Sequence, residues 1–562
     1  MRHRFFGMFL IPPCHPRYGG IQMVKTKKVV LKSIRQDQLP LLSGHRTGFD
    51  SVAEMIVVRA QECPDRPFVR FYDQTLTYAQ INARANRVAN FLAARGIGKG
   101  DVVSLLISNS PEVYIVMFGI QKLGAIAGSI NFMLKGPELA YLLDDSRPKM
   151  AFVSTEFMPE FSRGQALAAH QPEVIEVRLD PDAAAGNSAE TLSSILDRYP
   201  ADEALVPQKA SDPFLLLYSS GTTGQPKGIL LKNEGQLSVC RSMASIGLFN
   251  PGDVMLILLP MYHTNPICVW TFPIIYCAQA VCIRKAFSPA DFWPAITENR
   301  VSILMGVPAM YNYVYYSIDT DTIDRSALRL NFAFCGAAPL SVDLIEGFEK
   351  KFNVEIIEGY GLTECTGVST VNPPQGKRKP GSIGVALPGQ EIKIMDDKNR
   401  ELPAGEKGEI CIRSKAVMRE YLNNPEATAD TIVNGWLHTG DIAYMDTEGF
   451  IFIVDRKKDM INRGGENIYP REIEIVLEAH PAIKDVAVIG IPDDALGEKV
   501  KAFIIPDKSE KITPEDIKTF LQERLAAYKI PEVIEFLVEL PRNPTGKIMK
   551  KELRRMEMAK GK

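Results

Sequence analysis

The chain has 562 residues, 46% of them hydrophobic and 23% charged, so it is long enough for two or more domains with large cores. Its formal charge of −2 at pH 7, with no basic stripe rich in aromatic residues, argues against a nucleic-acid-binding protein. The nine cysteines are scattered without a CxxC pair, which predicts buried thiols in a reducing, cytoplasmic compartment and disfavours zinc.

Residues 1–49 are predicted to form an N-terminal extension that is partly disordered. It opens with MRHRFFGMFLIPP, whose apolar run stops at Pro12 without the small residues of a signal-peptide cleavage site. Met1 and Met23 are both candidate start residues. No apolar run reaches 18 residues, because prolines and polar residues interrupt the longest one, and we expect a soluble protein without a transmembrane segment.

From about residue 50 the chain alternates between short apolar runs and amphipathic stretches of helical length. Stretches such as PEVYIVMFGIQKLGA and SVDLIEGFEKKF are predicted to be helices, and the following runs are predicted to be buried strands: DVVSLLISN, KMAFVST, EVIEVRL, PFLLLYSS, VMLILLP, AVCIRKAF, VSILMGVP, NFAFCGAA and VEIIEGY. This alternation predicts an α/β fold with a large N-terminal domain of mostly parallel sheets.

After about residue 380 the pattern changes to short strands separated by glycine, which predicts a β subregion: EIKIMDD, GEICIRS and GFIFIVD. The charged segment DRKKDMI follows and is predicted to be a linker. We therefore place the large domain at residues 50–455 and a small, mobile C-terminal α/β domain at residues 456–562.

A loop rich in glycine, serine and threonine follows the apolar run PFLLL, in the segment YSSGTTGQPKG. Small residues expose successive backbone N–H groups that can surround a phosphate, and Lys227 adds positive charge. The P-loop of nucleotide triphosphatases needs glycine before its lysine and a hydroxyl residue after it. Pro226 and Gly228 occupy those positions, which excludes a P-loop.

Ordered segments along the chain resemble the motifs of adenylate-forming acyl-CoA synthetases: YSSGTTGQPKG (218–228), YGLTE (360–364), GWLHTGD (435–441), DRKKDMI (455–461) and PRNPTGK (541–547). Within this family the chain is most similar to fatty-acyl and crotonobetaine/carnitine-type CoA ligases. The resemblance covers about residues 50–555. It implies that ATP, with Mg²⁺, adenylates a carboxylic acid and releases pyrophosphate, and that coenzyme A then attacks the acyl adenylate.

The resemblance also implies individual roles within the nucleotide site. Adenine lies against Tyr360 and the small residues Gly336 and Ala337, while Asp441 and Arg456 bind the ribose hydroxyls. The β- and γ-phosphates are held by Ser219, Ser220, Gly221, Thr222, Thr223, Gly224 and Lys227.

Further roles implied by the resemblance concern the reacting groups. Glu364 binds Mg²⁺, which prefers oxygen ligands, and Thr363 contacts the α-phosphate. His263 is a candidate gate beside the acyl carbon. Lys547 bridges the carboxylate and the α-phosphate during adenylation, and the segment around it resembles a site that a lysine acyltransferase modifies in this family.

Because Lys547 lies in the second domain, it must leave before coenzyme A reaches the same carbon. By resemblance, Lys458 is the hinge residue for that rotation. Gly464 and Gly465 would then line the passage for pantetheine, where a missing Cβ keeps a narrow space open.

Two positions bear on the size and chemical class of the carboxylic acid that is activated. Gly361 stands where acetate-specific relatives carry tryptophan, so we expect room for an acid larger than propionate: fatty, cyclic or aromatic. Thr264 stands where amino-acid-activating relatives place aspartate, which argues against amino acids. An apolar wall is predicted from Ile267, Cys268, Met305, Val307, Met310 and Cys335.

Two alternatives stay open at this point: an enzyme that loads a carrier protein instead of coenzyme A, and a nucleotide-binding regulator without catalysis. Monomer and homodimer are both open as well. The chain departs from its relatives at Ser414 and Glu420, where they usually have glycine, so the backbone conformation at these two positions is in question.

Overall fold

The structure is a computed structural model, and it describes residues 28–560 apart from residues 32, 36–38, 180–189, 220–224, 318–323, 337, 339, 464–465, 494–495, 508–511 and 543–547. The helices, numbered in chain order, are α1 (Val52–Glu62), α2 (Tyr78–Ala94), α3 (Pro111–Lys122), α4 (Gly136–Ser146), α5 (Met158–Leu167), α6 (Leu192–Arg198), α7 (Asn233–Ser245), α8 (Phe272–Tyr276), α9 (Pro289–Glu298), α10 (Pro308–Ser317), α11 (Val342–Phe352), α12 (Pro425–Thr431), α13 (Pro470–Glu478), α14 (Pro514–Gln522) and α15 (Lys550–Lys560).

The strands, also numbered in chain order, are β1 (Pro67–Phe71), β2 (Gln74–Thr77), β3 (Val102–Leu106), β4 (Ile126–Ser129), β5 (Met150–Ser154), β6 (Glu173–Val177), β7 (Pro213–Ser219), β8 (Lys227–Lys232), β9 (Val254–Ile257), β10 (Ala280–Ile283), β11 (Ile303–Gly306), β12 (Phe332–Cys335), β13 (Ile356–Tyr360), β14 (Thr370–Val371), β15 (Val385–Ala386), β16 (Gln390–Met395), β17 (Gly408–Ser414), β18 (Glu420–Tyr421), β19 (Ile432–Val433), β20 (Trp436–Met445), β21 (Ile451–Arg456), β22 (Ile461–Arg463), β23 (Glu466–Ile468), β24 (Ile483–Asp493), β25 (Gly497–Pro506) and β26 (Val533–Phe536).

Two large sheets form the N-terminal part of the chain. The first has the order β15-β14-β13-β12-β11-β9-β10-β1-β2, and its six strands from β13 to β1 run parallel. The second has the order β18-β8-β7-β4-β3-β5-β6, with parallel pairing from β7 to β6. Strands β9 to β12 are buried along their whole length, as expected for parallel strands covered on both faces. The predicted α/β fold class is confirmed.

One continuous apolar core joins the two large sheets. It contains side chains of both sheets together with helices α3, α7 and α8, which therefore lie between them. The opposite face of the first sheet has its own core with α9, α10 and α11. Alternate residues of β9 divide between these cores: Met255 and Ile257 belong to the first, Val254 and Leu256 to the second.

The predicted β subregion is an antiparallel sheet of β16, β17, β20 and β19, with β21 paired to β20. The C-terminal residues form another sheet, β23-β22-β25-β24 with β26 on β25, covered by an apolar core that includes α13 and α14. Ser414 and Glu420, which stand where relatives usually have glycine, lie in strands β17 and β18. Any residue can adopt this extended conformation, so neither position requires glycine.

The segment before the first helix packs on the body of the protein. The Val29 N–H donates to the Glu448 carbonyl at 2.6 Å, and the Ile34 N–H donates to the Ser245 carbonyl at 2.7 Å. Leu31 between them is buried. This part of the predicted extension therefore connects the β subregion to α7. In the part of the chain that the structure describes, no helix is long and apolar enough to cross a membrane.

The predicted linker is a short 3₁₀ turn, Lys457–Asp459, with contacts on both sides. Lys457 Nζ lies 2.8 Å from Asp397 Oδ1 in the β subregion, and Asp459 Oδ1 lies 2.9 Å from an Arg554 nitrogen in α15. Just before the turn, Asp455 Oδ2 accepts the backbone N–H of Arg471 at 2.7 Å in the first turn of α13. The Asp455 side chain of β21 thus caps α13, the helix that packs on the C-terminal sheet.

Candidate active site

Three predicted site residues meet where β13 ends. Tyr360 closes β13, and its hydroxyl donates to Asp441 Oδ2 at 2.6 Å. Asp441 and Arg456 are register partners on β20 and β21, and Arg456 Nε lies 2.7 Å from Asp441 Oδ1. Burial, followed by the nearby charge of Asp441, raises the pKa of Tyr360 well above its usual value, so the phenol remains a donor. One carboxylate is therefore held between two donors.

Glu364 and Lys227 are linked by a residue that the sequence did not single out. The Tyr421 hydroxyl donates to Glu364 Oε1 at 2.9 Å, and Lys227 Nζ lies 4.8 Å from the centre of the Tyr421 ring. Tyr421 reaches this position because β18 pairs antiparallel to β8, opposite Ile229. Burial raises the pKa of Glu364, although Tyr421 and Arg456 act in the other direction.

Thr363 lies against the segment that carries His263. The hydroxyls of Thr363 and Thr264 are 2.7 Å apart. The His263 ring packs on Tyr262 with ring centres 4.3 Å apart, and among the described residues its Nε2 has no hydrogen-bond partner. Burial lowers the pKa of His263 to about 4, so the imidazole is neutral near pH 7. A neutral, half-buried ring suits packing or gating rather than charge stabilisation.

The hairpin of β7 and β8 frames the glycine-rich loop. Ser219 and Lys227 face each other as register partners at its mouth. Gly336 follows β12, and a Cβ there would stand 3.4 Å from the Gly359 carbonyl. The remaining predicted site residues lie outside the described residues: Ser220, Gly221, Thr222, Thr223, Gly224, Ala337, Gly464, Gly465 and Lys547. Lys458 lies within the 3₁₀ turn between the domains.

The expectation that Gly361 leaves room for a tryptophan is wrong. A Cβ on Gly361 would stand 2.4 Å from the Gly367 carbonyl oxygen and 2.6 Å from the Val368 Cα. The approach is close because Thr366, in the left-handed region at φ 58°, turns the chain back toward β13. This glycine is required by backbone packing and says nothing about the size of the acid.

The predicted apolar wall is also only partly correct. Ile267, Cys268 and Met305 belong to the core between the two large sheets. Met310 and Cys335 belong to the core on the opposite face of the first sheet, and Val307 packs against that core. Neighbouring residues of a strand point to opposite faces of the sheet. Phe334 therefore points into the core between the two large sheets, and Cys335 points away from it.

The carboxylates of the site determine whether it could hold Mg²⁺. Within the described ranges no group of three or more His, Cys, Asp or Glu side chains could hold a metal ion. Mg²⁺ is usually bound by one or two carboxylates together with substrate phosphates and water. The partly buried carboxylate of Glu364, close to Lys227 at the mouth of the glycine-rich loop, fits that pattern, whereas a site built only from protein ligands does not.

These groups share one location. β9, β11, β12 and β13 are parallel, so their carboxyl ends lie on one edge, where Tyr360 ends β13 and Thr264, Gly336 and Thr363 lie in the segments after β9, β12 and β13. Ligands of α/β sheets bind at that edge. The fold and the site together define an α/β protein whose candidate site lies at the carboxyl ends of its parallel strands, with a smaller α/β unit at its C-terminus.

Comparison with known proteins gives the family. The AMP-binding enzyme family matches residues 57–422, and the AMP-binding enzyme C-terminal domain matches residues 472–547. The chain belongs to the AMP-binding enzyme family and is a ligase of the acyl-CoA synthetase class. The resemblance inferred from the sequence motifs is therefore confirmed.

Among curated relatives, the fatty acid–(acyl-carrier-protein) ligase ScoC of Streptomyces coeruleorubidus is 35% identical over 91% of this chain and 97% of its own length. The long-chain-fatty-acid–CoA ligase FadD13 of Mycobacterium tuberculosis is 37% identical, over 86% and 93%. The crotonobetaine/carnitine–CoA ligase of Citrobacter koseri is 34% identical, over 85% and 93%.

Two solved structures share the fold. ATP-bound MatB from Rhodopseudomonas palustris has a TM-score of 0.82 and 29% identity, covering 90% of this chain and 99% of that one. The o-succinylbenzoate–CoA synthetase MenE from Bacillus subtilis, in complex with ATP and magnesium ion, has a TM-score of 0.78 and 28% identity, covering 89% and 98%.

Proposed function

We propose that this chain uses ATP and Mg²⁺ to adenylate a carboxylic acid larger than propionate and transfers the acyl group to coenzyme A, releasing AMP and pyrophosphate. The observation that carries the proposal is the contact chain Tyr360–Asp441–Arg456, which lies at the same sheet edge as Glu364. A buried carboxylate accepting from two donors is a preorganised acceptor for a ribose diol.

The chemistry needs these groups because a carboxylate is a poor electrophile. Adenylation converts it to an anhydride with AMP as leaving group, and it brings two anions together. Lys227 and the glycine-rich loop supply positive charge and donors for the phosphates. Glu364 would hold Mg²⁺, which neutralises phosphate charge when bound, and Thr363 would contact the α-phosphate.

The acyl group is proposed to extend from Thr363 toward the core between the large sheets. Gly367 closes one side of this region, since a Cβ there would stand 2.7 Å from Val269 and 2.8 Å from Thr264. Ile267, Cys268, Met305 and Phe334 offer apolar lining farther in. The acids named for FadD13 and ScoC are fatty acids, which supports a substrate larger than propionate.

The rotation of the C-terminal domain is part of the proposal. Lys547 would assist adenylation, and Lys458 would be the hinge that removes it. Gly464 and Gly465 would then border the pantetheine passage.

Two further roles and the cellular location belong to the proposal. His263 would close the acyl side of the site, and modification of Lys547 by a lysine acyltransferase would suppress adenylation. The described cysteines are all unpaired and buried, which supports a reducing, cytoplasmic location.

A carrier protein is the alternative acceptor of the acyl group, because ScoC, which is 35% identical, is named as a ligase for an acyl carrier protein. The test is pyrophosphate release over a panel of acids from acetate to long-chain and aromatic acids, followed by thioester formation with coenzyme A or a carrier protein. We expect release with acids of six or more carbons and thioester only with coenzyme A. Efficient use of acetate, or transfer only to the carrier, would contradict the proposal. Absence of release with every acid would indicate the catalytically inactive regulator.

A further inference from the structure

A π-helical turn, Asn265–Thr271, borders the proposed reaction centre. Its hydrogen bond joins the Phe272 N–H to the Ile267 carbonyl, five residues earlier. In an α-helix, residues five apart point about 140° away from each other, whereas π-type spacing brings them to one side. Asn265 and Trp270, which are five residues apart, therefore share a side of this turn.

Both side chains lie along β12, Asn265 at its end and Trp270 farther back in the core. Asn265 Nδ2 lies 3.7 Å from the position of a Cβ on Gly336. The Trp270 ring packs edge-on against Phe334, with ring centres 4.9 Å apart and planes at 78°. Phe334 and Gly336 are two residues apart at the sheet edge where the nucleotide site lies. The turn thus places two polar side chains along β12, between Phe332 and Gly336.

Each of these side chains has a buried polar atom without a partner among the described residues: Asn265 Oδ1 and Trp270 Nε1. Trp270 is 0% exposed. A buried indole N–H normally has an acceptor, and a buried polar atom left unpaired requires an explanation. One atom accepts and the other donates. A ligand hydroxyl, which both donates and accepts, would satisfy both of them.

The turn is held firmly in this shape. The fully buried Gln236 of α7 donates from Nε2 to the Cys268 carbonyl at 2.7 Å, in the middle of the turn. Thr271 Oγ1 donates to the Pro266 carbonyl at 2.8 Å. Because π-type turns are rare and concentrate at functional sites, a fixed π-turn beside the reaction centre favours a role in substrate binding.

We propose that the acid activated by this chain carries a hydroxyl group on its acyl moiety, and that Asn265 and Trp270 bind it. The inference rests on the proposed function, because that function places the acyl group between Thr363 and the π-turn. Asn265 and Trp270 are then specificity-determining residues, and the substrate class is hydroxylated aliphatic or aromatic acids rather than plain alkyl acids.

The test uses matched acids of six or more carbons, each compared with its analogue bearing one hydroxyl at successive positions. With the full-length protein, kcat/KM from pyrophosphate release should favour the hydroxylated acid at least ~10-fold at one position, since a site built to hydrogen-bond a hydroxyl rejects the analogue lacking it. Asn265→Leu and Trp270→Phe should each bring that ratio toward 1.

Trp293→Phe is the matched control. Trp293 is also a buried tryptophan whose Nε1 has no partner among the described residues, but it lies in the core on the opposite face of the first sheet. The ratio should therefore stay unchanged in this variant. Equal use of both acids by the unmodified protein, at every position, would overturn the inference while leaving the proposed function intact. Release with no acid at all would overturn both.

Discussion

Arg456 and Asp441 are direct partners on adjacent antiparallel strands, and Arg456 Nε lies 2.7 Å from Asp441 Oδ1. Arg456 is also the last residue before the turn that leads to the C-terminal sheet. The proposed ribose contact and the joint between the domains therefore share a residue. We therefore expect binding of the nucleotide to be coupled to the position of the C-terminal domain through this residue.

Asp441→Asn should raise the KM for ATP by roughly 10- to 100-fold, because a hydrogen bond to a charged group contributes about 1.5–3 kcal/mol. Tyr360→Phe is the milder comparison, since it keeps the ring and removes only one donor to Asp441. Steady-state kinetics at saturating acid would measure both variants. An unchanged KM for ATP in Asp441→Asn would exclude the ribose role.

Asp455→Ala should destabilise the start of α13, because it removes the acceptor for the Arg471 N–H. Loss of such a cap typically costs about 0.5–2 kcal/mol. Limited proteolysis should cut the C-terminal part of the variant sooner than that of the unmodified protein. Asp455→Asn keeps an acceptor oxygen and should behave almost as the unmodified protein. Equal resistance of all three proteins would argue against the cap.

His263 predicts a pH dependence of stability. Its pKa is lowered from 6.5 to about 4 by burial, so between these values the unfolded chain binds more protons and stability falls as the pH is lowered. The effect is at most ~3 kcal/mol. The melting temperature of the unmodified protein should therefore fall relative to that of His263→Phe from pH 6.5 to pH 4. A difference between the two proteins that does not vary with pH would show that the imidazole is not buried as described.

Gly361→Ala should lower the melting temperature and the activity with all acids alike, because the added Cβ meets the Gly367 backbone at 2.4 Å. Forced overpacking of this kind costs about 1–3 kcal/mol. Gly98→Ala is the control, since a Cβ there has nothing within 4 Å. A stable Gly361→Ala protein whose preference shifts only toward short acids would restore the pocket interpretation of this glycine.

Lys547→Ala and Gly465→Leu should fail in opposite half-reactions. Lys547 would act only during adenylation, so its loss should reduce pyrophosphate release on the order of 10²–10³-fold while a supplied acyl adenylate is still converted to thioester. Gly465→Leu should release pyrophosphate in a single turnover and fail to form the thioester. If both folded variants lose both half-reactions equally, one fixed arrangement serves both steps and Lys458 is not a hinge.

The strands of the large sheets could be predicted from the sequence because each is a short apolar run bounded by turn residues, as in NFAFCGAA, which becomes β12. The motif segments also indicate which residues belong to the candidate site. Their contacts could not be predicted. Asp441 and Arg456 meet only through the register of a hairpin with a bulge, and the chain offers no local signal for that register.

Contacts between distant segments could not be predicted for a related reason. Tyr421 bonds Glu364 across 57 positions, and Thr264 meets Thr363 across 99. The surroundings of Gly361 could not be predicted because they depend on the left-handed Thr366 farther along the chain. The division of the apolar wall between two cores, in contrast, could be predicted from the sequence. Side chains alternate between the two faces of a strand, so the pattern NFAFCGAA already places Phe334 and Cys335 on opposite faces.

The cap that Asp455 places on α13 has a consequence for recombining this enzyme with its relatives. A crossover just after Arg456 would join α13 to a foreign strand, and the helix would keep its cap only if that strand ended in a suitable acceptor. A crossover ahead of Ile451 would transfer β21 together with the helix it caps. It would then separate β21 from β20, so the exchanged module should also include Trp436–Met445. The inheritable unit at the C-terminus is therefore longer than the C-terminal sheet and includes both residues of the proposed ribose contact, Asp441 and Arg456.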